Sequence, residues 1–475
     1  MIINNKDFRD KRDMDDADVI IAKGKDHASA FLNGVKLLGG FEEIIEKDDI
    51  VFIKITLNDI QGFPSHSNIV ILGLIIKECI EAGAKQIYVG SIPKNGAKTR
   101  DVERILDLAE ILKSMGAEFS FLDDQNLCSK INLEESNETI FIPDILLKCD
   151  KFIIFNQINV DPLFQFTFAL QNTYSLILPK YREIKQDSKM QENDASNDQY
   201  KKDLITKILD LHHIRKPNLV INDLFYVMQQ AGPYIYKDSN LITTKLMIFG
   251  KEPLLVDYAT LKIFGIDPAN NELLSRAIKR EQTRFDLNNL NVVGELIEQN
   301  TFQIRLCTKN LEQLDVYGTE IKAGTMCSGC YEQAYHLLNF MKTMMTKDLI
   351  YIKKQTFLVG QTPKEPENHK NVLLFGDCAV NSTRNYDFRV LTITKQVLKL
   401  FNPLKKVFKR KDEKKSIRKT TKKQNKDILN LPGCPPDMKG VHKALLDYYT
   451  KKDVPNLCFY LDSLKILDKN PKRRL

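Results

Sequence analysis

The chain is predicted to be an α/β protein, with a mostly parallel sheet in a large first domain and a second, smaller α/β domain after it. Three observations carry this. Short β-branched runs alternate with longer patterns of period 3.6 through the first 280 residues, the signature of a mostly parallel sheet. Two of the helical patterns end on glycine and alanine, at Gly83-Ala84 and Gly116-Ala117, each followed by a strand, so one βα unit is used twice. Near residue 300 the character changes, and glycine-flanked cysteines gather in the remainder.

In order, strands are expected at 19–22, 50–55, 86–89, 119–122 and 152–155, with helices between them. Residues 69–82 and 101–115 each read as one amphipathic helix. Residues 185–202, KQDSKMQENDASNDQYKK, are nearly free of apolar side chains and read as a surface excursion. A strand resumes at 217–224, and 254–279 reads as helix, Gly-Ile-Asp-Pro turn and helix. In the smaller domain, strands are expected at 301–307, 349–359, 372–375 and 428–431, with helices at 331–345 and 439–449. The division expected is 1–295 and 296–475.

At 475 residues the chain exceeds one ordinary core, and 43% hydrophobic with 28% charged residues is the balance of a soluble protein. The opening MIINNKDFRDKRDMDDAD has no apolar secretory stretch, and the aliphatic run 69–76 is too short to span a bilayer. Both point to a cytoplasmic protein without a membrane span. Nine cysteines, an odd number, argue against a disulfide framework and for reduced thiols. The formal charge of +8 is local in origin. Residues 405–426 hold twelve Lys and Arg against Asp412 and Glu413, a net of +10, and the rest of the chain sums to −2. This stretch is a basic insertion able to grip an anionic partner, though Phe408, its one aromatic, offers little for base stacking.

Four cysteines stand in contexts that read together: Cys327 and Cys330 in GTMCSGCYEQ, Cys378 in LLFGDCAVNS and Cys434 in LNLPGCPPDM. A four-iron cluster needs four thiolates, and a two-residue gap lets one loop supply two of them. Gly329 and Gly433 leave room for the backbone to approach sulfide, and Pro435-Pro436 send the chain away extended. The reading is a [4Fe-4S] cluster, with structural zinc as the rival, since four thiolates also suit a tetrahedral ion. The blandest alternative is four buried apolar thiols. Cys79, Cys149, Cys307 and Cys458 are expected in apolar packing and Cys128 in a loop. His212 and His213 are expected one packed and one exposed, and His336 lies on the helix after the CxxC pair. Asp257 and Asp223, each at the end of a strand-like run, are explained by capping as readily as by chemistry. No GxGxxG follows a strand and no GxxxxGK[ST] or GxSxG occurs, so no dinucleotide motif is present.

Residues 18–280 resemble the α/β proteins called domain of unknown function 362, some of which accompany iron-sulfur modules. The matching stretches include VIIAKGKDHASAFLNGVKLLGG, VFIK, IKECIEAGAKQIYVG, KPNLVINDL and VDYATLKIFGIDP. Residues 324–449 resemble the cluster-binding elements of hydrogenase small subunits, in CxGC, GxCA and PGCPP. The second resemblance implies one [4Fe-4S] cluster on Cys327, Cys330, Cys378 and Cys434. The first implies a site that keeps Lys54 and Asn172. It departs from the family where Asn159, Val160 and Asp161 replace a Lys-rich, His-containing stretch, and where Gln171 precedes Asn172 in place of a lysine. The expectation is an electron-transfer or reducing iron-sulfur protein with a redox protein partner, and a ligand near Lys54, Asn172, Asp223 and Asp257. The rival is a scaffold with a structural metal that docks through its basic arm.

Overall fold

The computed structural model describes residues 18–58, 60–93, 98–178, 181, 198–281, 287, 290–389 and 427–469. Most of the polar excursion and all of the basic insertion at 405–426 lie outside the described residues. The chain forms two compact units. Among the described residues the second takes Asp198 and those of Asn310–Ile466, and the first takes the others through Lys309 together with 467–469.

The first unit is built on eight strands: β1 Val19–Lys23, β2 Ile50–Ile55, β3 Gln86–Gly90, β4 Glu118–Phe119, β5 Lys151–Gln157, β6 Leu219–Asp223, β7 Leu246–Gly250 and β8 Val292–Gly294. Their order across the sheet is β8-β1-β7-β6-β5-β2-β3-β4. All pairings are parallel except those of β7, which runs against both β1 and β6. Helices α1 His27–Leu38 and α2 Ile69–Glu81 cover one face. Asp26 and Ser29 close a capping box on α1, and the Asn68 side chain accepts from Val70 N and Ile71 N to start α2. Gly34 lets α1 sit against Phe249, whose ring lies 2.0 Å from where a Cβ would stand. Phe31, Ile53, Ile75, Phe155, Ile221 and Phe249 fill this layer and are fully buried, each worth roughly 1.5–3 kcal/mol. On the other face lie the short α3 Ala169–Asn172 and α4 Pro253–Ile263.

The α/β class and the two-sheet plan agree with the sequence, and several local expectations are corrected. Residues 301–307 form no strand. Their backbone bonds to the first unit instead, Phe302 N to Ile263 O and Gln230 N to Arg305 O, which carries that unit past residue 295 to Lys309. The single helix expected at 101–115 is two, Thr99–Leu106 and Leu108–Ser114, broken at Asp107 with φ of 53°. The long strand expected at 349–359 is a helix, Thr346–Ile352, followed by a strand. Cys128 opens a hairpin strand, and Cys458 lies on a helix.

The second unit has a four-stranded sheet of β9 Thr319–Ala323, β10 Gln355–Val359, β11 Val372–Phe375 and β12 Ile428–Leu431, parallel throughout and in chain order. Strands β10 and β11 are buried along their whole length, as continuous apolar runs in a covered parallel sheet should be. Its helices include α5 Ser328–Met344, α6 Gly376–Ser382 and α7 Met438–Tyr448. Among the described residues no helix is long and apolar enough to cross a membrane.

Candidate functional site

A parallel sheet delivers the carboxyl ends of all its strands to one edge, where loops converge and ligand sites form. In the second unit each of three such ends leads directly into a cysteine segment. β9 stops at Ala323 and Cys327 follows, β11 stops at Phe375 and Cys378 follows, and β12 stops at Leu431 and Cys434 follows. Cys330 comes from the first turn of α5, for which Cys327 is the N-terminal cap residue. Three segments far apart in sequence are thus brought together by one strand direction.

The sulfurs interact with one another. Cys330 and Cys434 share hydrogen bonds with Cys327, and the Gly329 and Cys330 amides point at the same sulfur. These contacts hold the Cys327 thiol well below the ordinary cysteine range, as the N-terminus of a helix also would. Cys330, donating to Cys327 and to Cys434 and buried besides, is pushed far up. Cys434 is raised mainly by its bond with Cys327. Cys378 shares no hydrogen bond with another sulfur; partial burial first, then the Cys327 charge and Asp377, raise its thiol. Among the described residues no three His, Cys, Asp or Glu side chains surround one point as ligands of a single ion. Cys327, Cys330 and Cys434 are joined by hydrogen bonds, and the Cys327 charge reaches Cys378.

The backbone around them is shaped by glycine. Gly376 has φ of 87°, and a Cβ there would stand 3.2 Å from Cys330 Sγ. Gly433 has φ of 131°, and a Cβ there would meet Pro436 Cα at 2.7 Å. Both backbones take a conformation that side chains disfavour, Gly376 against Cys330 sulfur and Gly433 against the Pro435-Pro436 turn. Two polar residues that sequence reasoning passed over organise the site. Asp377 exchanges two hydrogen bonds with Gly433, tying the second cysteine segment to the third. Asp198 accepts from Ser328 N at 3.1 Å and from the Ser328 hydroxyl, beside Cys327. Asp377 was legible as the middle of Gly-Asp-Cys. Asp198 carried no signal, being 130 residues from its partner.

In the first unit the structure links three of the four suspected ligand residues by buried side chains. Lys54, on β2, donates to Ile55 O at 2.7 Å, Ser91 Oγ at 2.9 Å and Asn172 Oδ1 at 2.7 Å. From Asn172 the bonds run to Thr56, Asn156 on β5 and Asn222 on β6, ending at Asp257. Asp257 also accepts from Ala169 N and Leu170 N, both at 2.9 Å. It therefore sits within α4 and closes the amino end of α3, not the strand-to-helix junction expected for it. Burial raises its pKa to about 7, against the three donors that favour the charged form.

Asp223, next along β6, points to the opposite face, as strand alternation requires. Its Oδ2 lies 2.8 Å from His27 Nε2, a partner the sequence did not suggest. The Asn68 carbonyl is used by α2, so its amino group faces His27 Nδ1 at 3.3 Å. That assigns the proton to Nε2, donating to Asp223. Phe225 stacks on the ring at 4.7 Å and Tyr226 meets it edge-on. The His27–Asp223 pair thus fastens the starts of α1 and α2 to the sheet edge. His212 is packed against Glu252 at 3.0 Å while His213 is exposed.

The fold is that of an α/β protein with two units, one on a mostly parallel mixed sheet and one on a parallel sheet whose strand ends lead into the cysteine segments. Residues 51–262 match the model of the family described as domain of unknown function (DUF362). No curated protein matches it by sequence. Among solved structures it is similar to the lactate racemase apoprotein from Thermoanaerobacterium thermosaccharolyticum, at 11% identity and a TM-score of 0.31. That match covers 53% of this chain and 59% of the other.

Proposed function

We propose that the second unit is an iron-sulfur module in which Cys327, Cys330, Cys378 and Cys434 hold one [4Fe-4S] cluster that passes electrons to or from a partner protein or a substrate. The observation that supports this reading is that three separate strand ends each lead into a cysteine segment, with Cys330 and Cys434 hydrogen-bonded to Cys327. The donor types fit, with four sulfurs, one of them already favoured as thiolate, and Gly376 where a Cβ would crowd Cys330 Sγ. A bound cluster would supply one-electron chemistry. The chain's own contribution is to hold the thiolates, aim the Gly329 and Cys330 amides at Cys327 sulfur, and lock two segments together through Asp377. In the first unit, the Lys54–Asn172–Asp257 network braces the sheet edge, and a ligand there would have to replace hydrogen bonds now made inside the protein.

The test is iron and acid-labile sulfide per chain, with the visible spectrum before and after dithionite, on protein purified without oxygen. About four of each, with a band that bleaches, is expected. Zinc in place of iron would make the site structural and overturn the electron-transfer reading, as would Cys→Ser changes that leave iron content untouched.

A further inference from the structure

The four cysteines are not equivalent. Cys330 is 2% exposed, Cys327 and Cys434 are partly covered, and Cys378 is exposed. The first three form one hydrogen-bonded group, with Cys327 at its centre, while Cys378 takes no hydrogen bond from another sulfur. Their supports differ as well. Cys327 and Cys330 ride on the seventeen-residue α5, and Cys434 stands between Gly433 and Pro435-Pro436. Cys378 is carried by the seven-residue α6 and is tied across to the third segment through its neighbour Asp377.

Resting on the cluster reading above, we infer that Cys378 is the exchangeable ligand, so that the iron it holds is the corner open to an external oxygen or sulfur donor. Three sulfurs that cover one another keep water and reagents from their irons. A thiolate in contact with solvent exchanges first, because an incoming donor reaches its iron without displacing protein. The same exposure gives a small thiol or carboxylate a place to bind without rearranging the fold. This makes the site more than a buried relay, since a substrate or inhibitor of that class can coordinate directly.

The test compares Cys378→Ala with Cys330→Ala and Cys434→Ala, all prepared without oxygen, by iron content and electron paramagnetic resonance. Cys378→Ala is expected to keep three irons per chain with a three-iron signal, and added ferrous iron with 2-mercaptoethanol should restore the fourth. The other two variants should lose nearly all iron. A second measurement uses the unaltered protein. Brief iodoacetamide treatment should alkylate Cys378 first, the sulfur-carbon bond forming as iodide leaves, with release of one iron in four. If all three variants lose iron alike, or Cys434 is alkylated as fast as Cys378, the inference is overturned while the cluster stands. If the unaltered protein takes up no iron, both readings fall.

Discussion

Asp377 and Gly433 bond to each other twice. The Gly433 amide donates to Asp377 Oδ1 at 3.0 Å, and the Asp377 amide donates to the Gly433 carbonyl at 3.1 Å. Each residue immediately precedes a cysteine, so this clasp sets the distance between Cys378 and Cys434.

Replacing Asp377 with alanine removes one of the two bonds, a loss of about 1 kcal/mol. Asparagine keeps the acceptor. We expect Asp377→Ala to lower iron retention during gel filtration by severalfold and Asp377→Asn to stay near the parent. Equal loss in both would assign the effect to charge and not to the clasp.

Gly376→Ala forces a side chain into a left-handed backbone, costing roughly 1–2 kcal/mol, and sets its Cβ 3.2 Å from Cys330 Sγ. Reconstitution with iron and sulfide should fall sharply, while the thermal midpoint drops by only a few degrees. Gly440→Ala, whose Cβ would meet Asp437 at an ordinary 3.4 Å, is the matched control and should load normally.

Asp257 is raised from 3.8 to about 7 by burial. The native state therefore keeps a proton that the unfolded state releases, and this group's contribution to stability falls as pH rises through that window. Asp257→Asn loses an acceptor for the α3 amides, about 1–3 kcal/mol. Urea midpoints should show a larger penalty for the variant at pH 5 than at pH 8. A penalty that grows with pH would mean that the three donors outweigh burial.

His442 has the opposite sign. Packed between Phe340 at 4.5 Å and Tyr460, its pKa is lowered by burial from 6.5 to about 4. The unfolded chain binds the proton first, so stability falls as pH drops from 6.5 toward 4, on the order of 2 kcal/mol. His442→Phe should flatten that part of the pH profile. An unchanged acid limb would show the ring to be solvated.

Much of this was legible because short-range patterns report it. The apolar periods and the Gly-Ala stops announced the βα units, and the glycines and prolines around Cys327, Cys330, Cys378 and Cys434 marked these thiols as a candidate set. Leu246–Gly250 escaped, although it lies within the first sheet, because a five-residue apolar run has no period to separate strand from helix. Residues 301–307 misled in the other direction. They alternate like a strand, yet their hydrogen bonds go to Ile263 and Gln230 and no ladder forms.

The sequence by itself determined the α/β class and the family model that residues 51–262 match, and it singled out four cysteines as a candidate set, since each rests on residue types at short spacing. Only the tertiary structure decided which thiol faces water, that Asp377 joins Gly433, and that His27 meets Asp223 across 196 residues. Those outcomes depend on strand order and on which face of a strand a side chain takes. Order is settled by packing over the whole sheet, and no local window contains it.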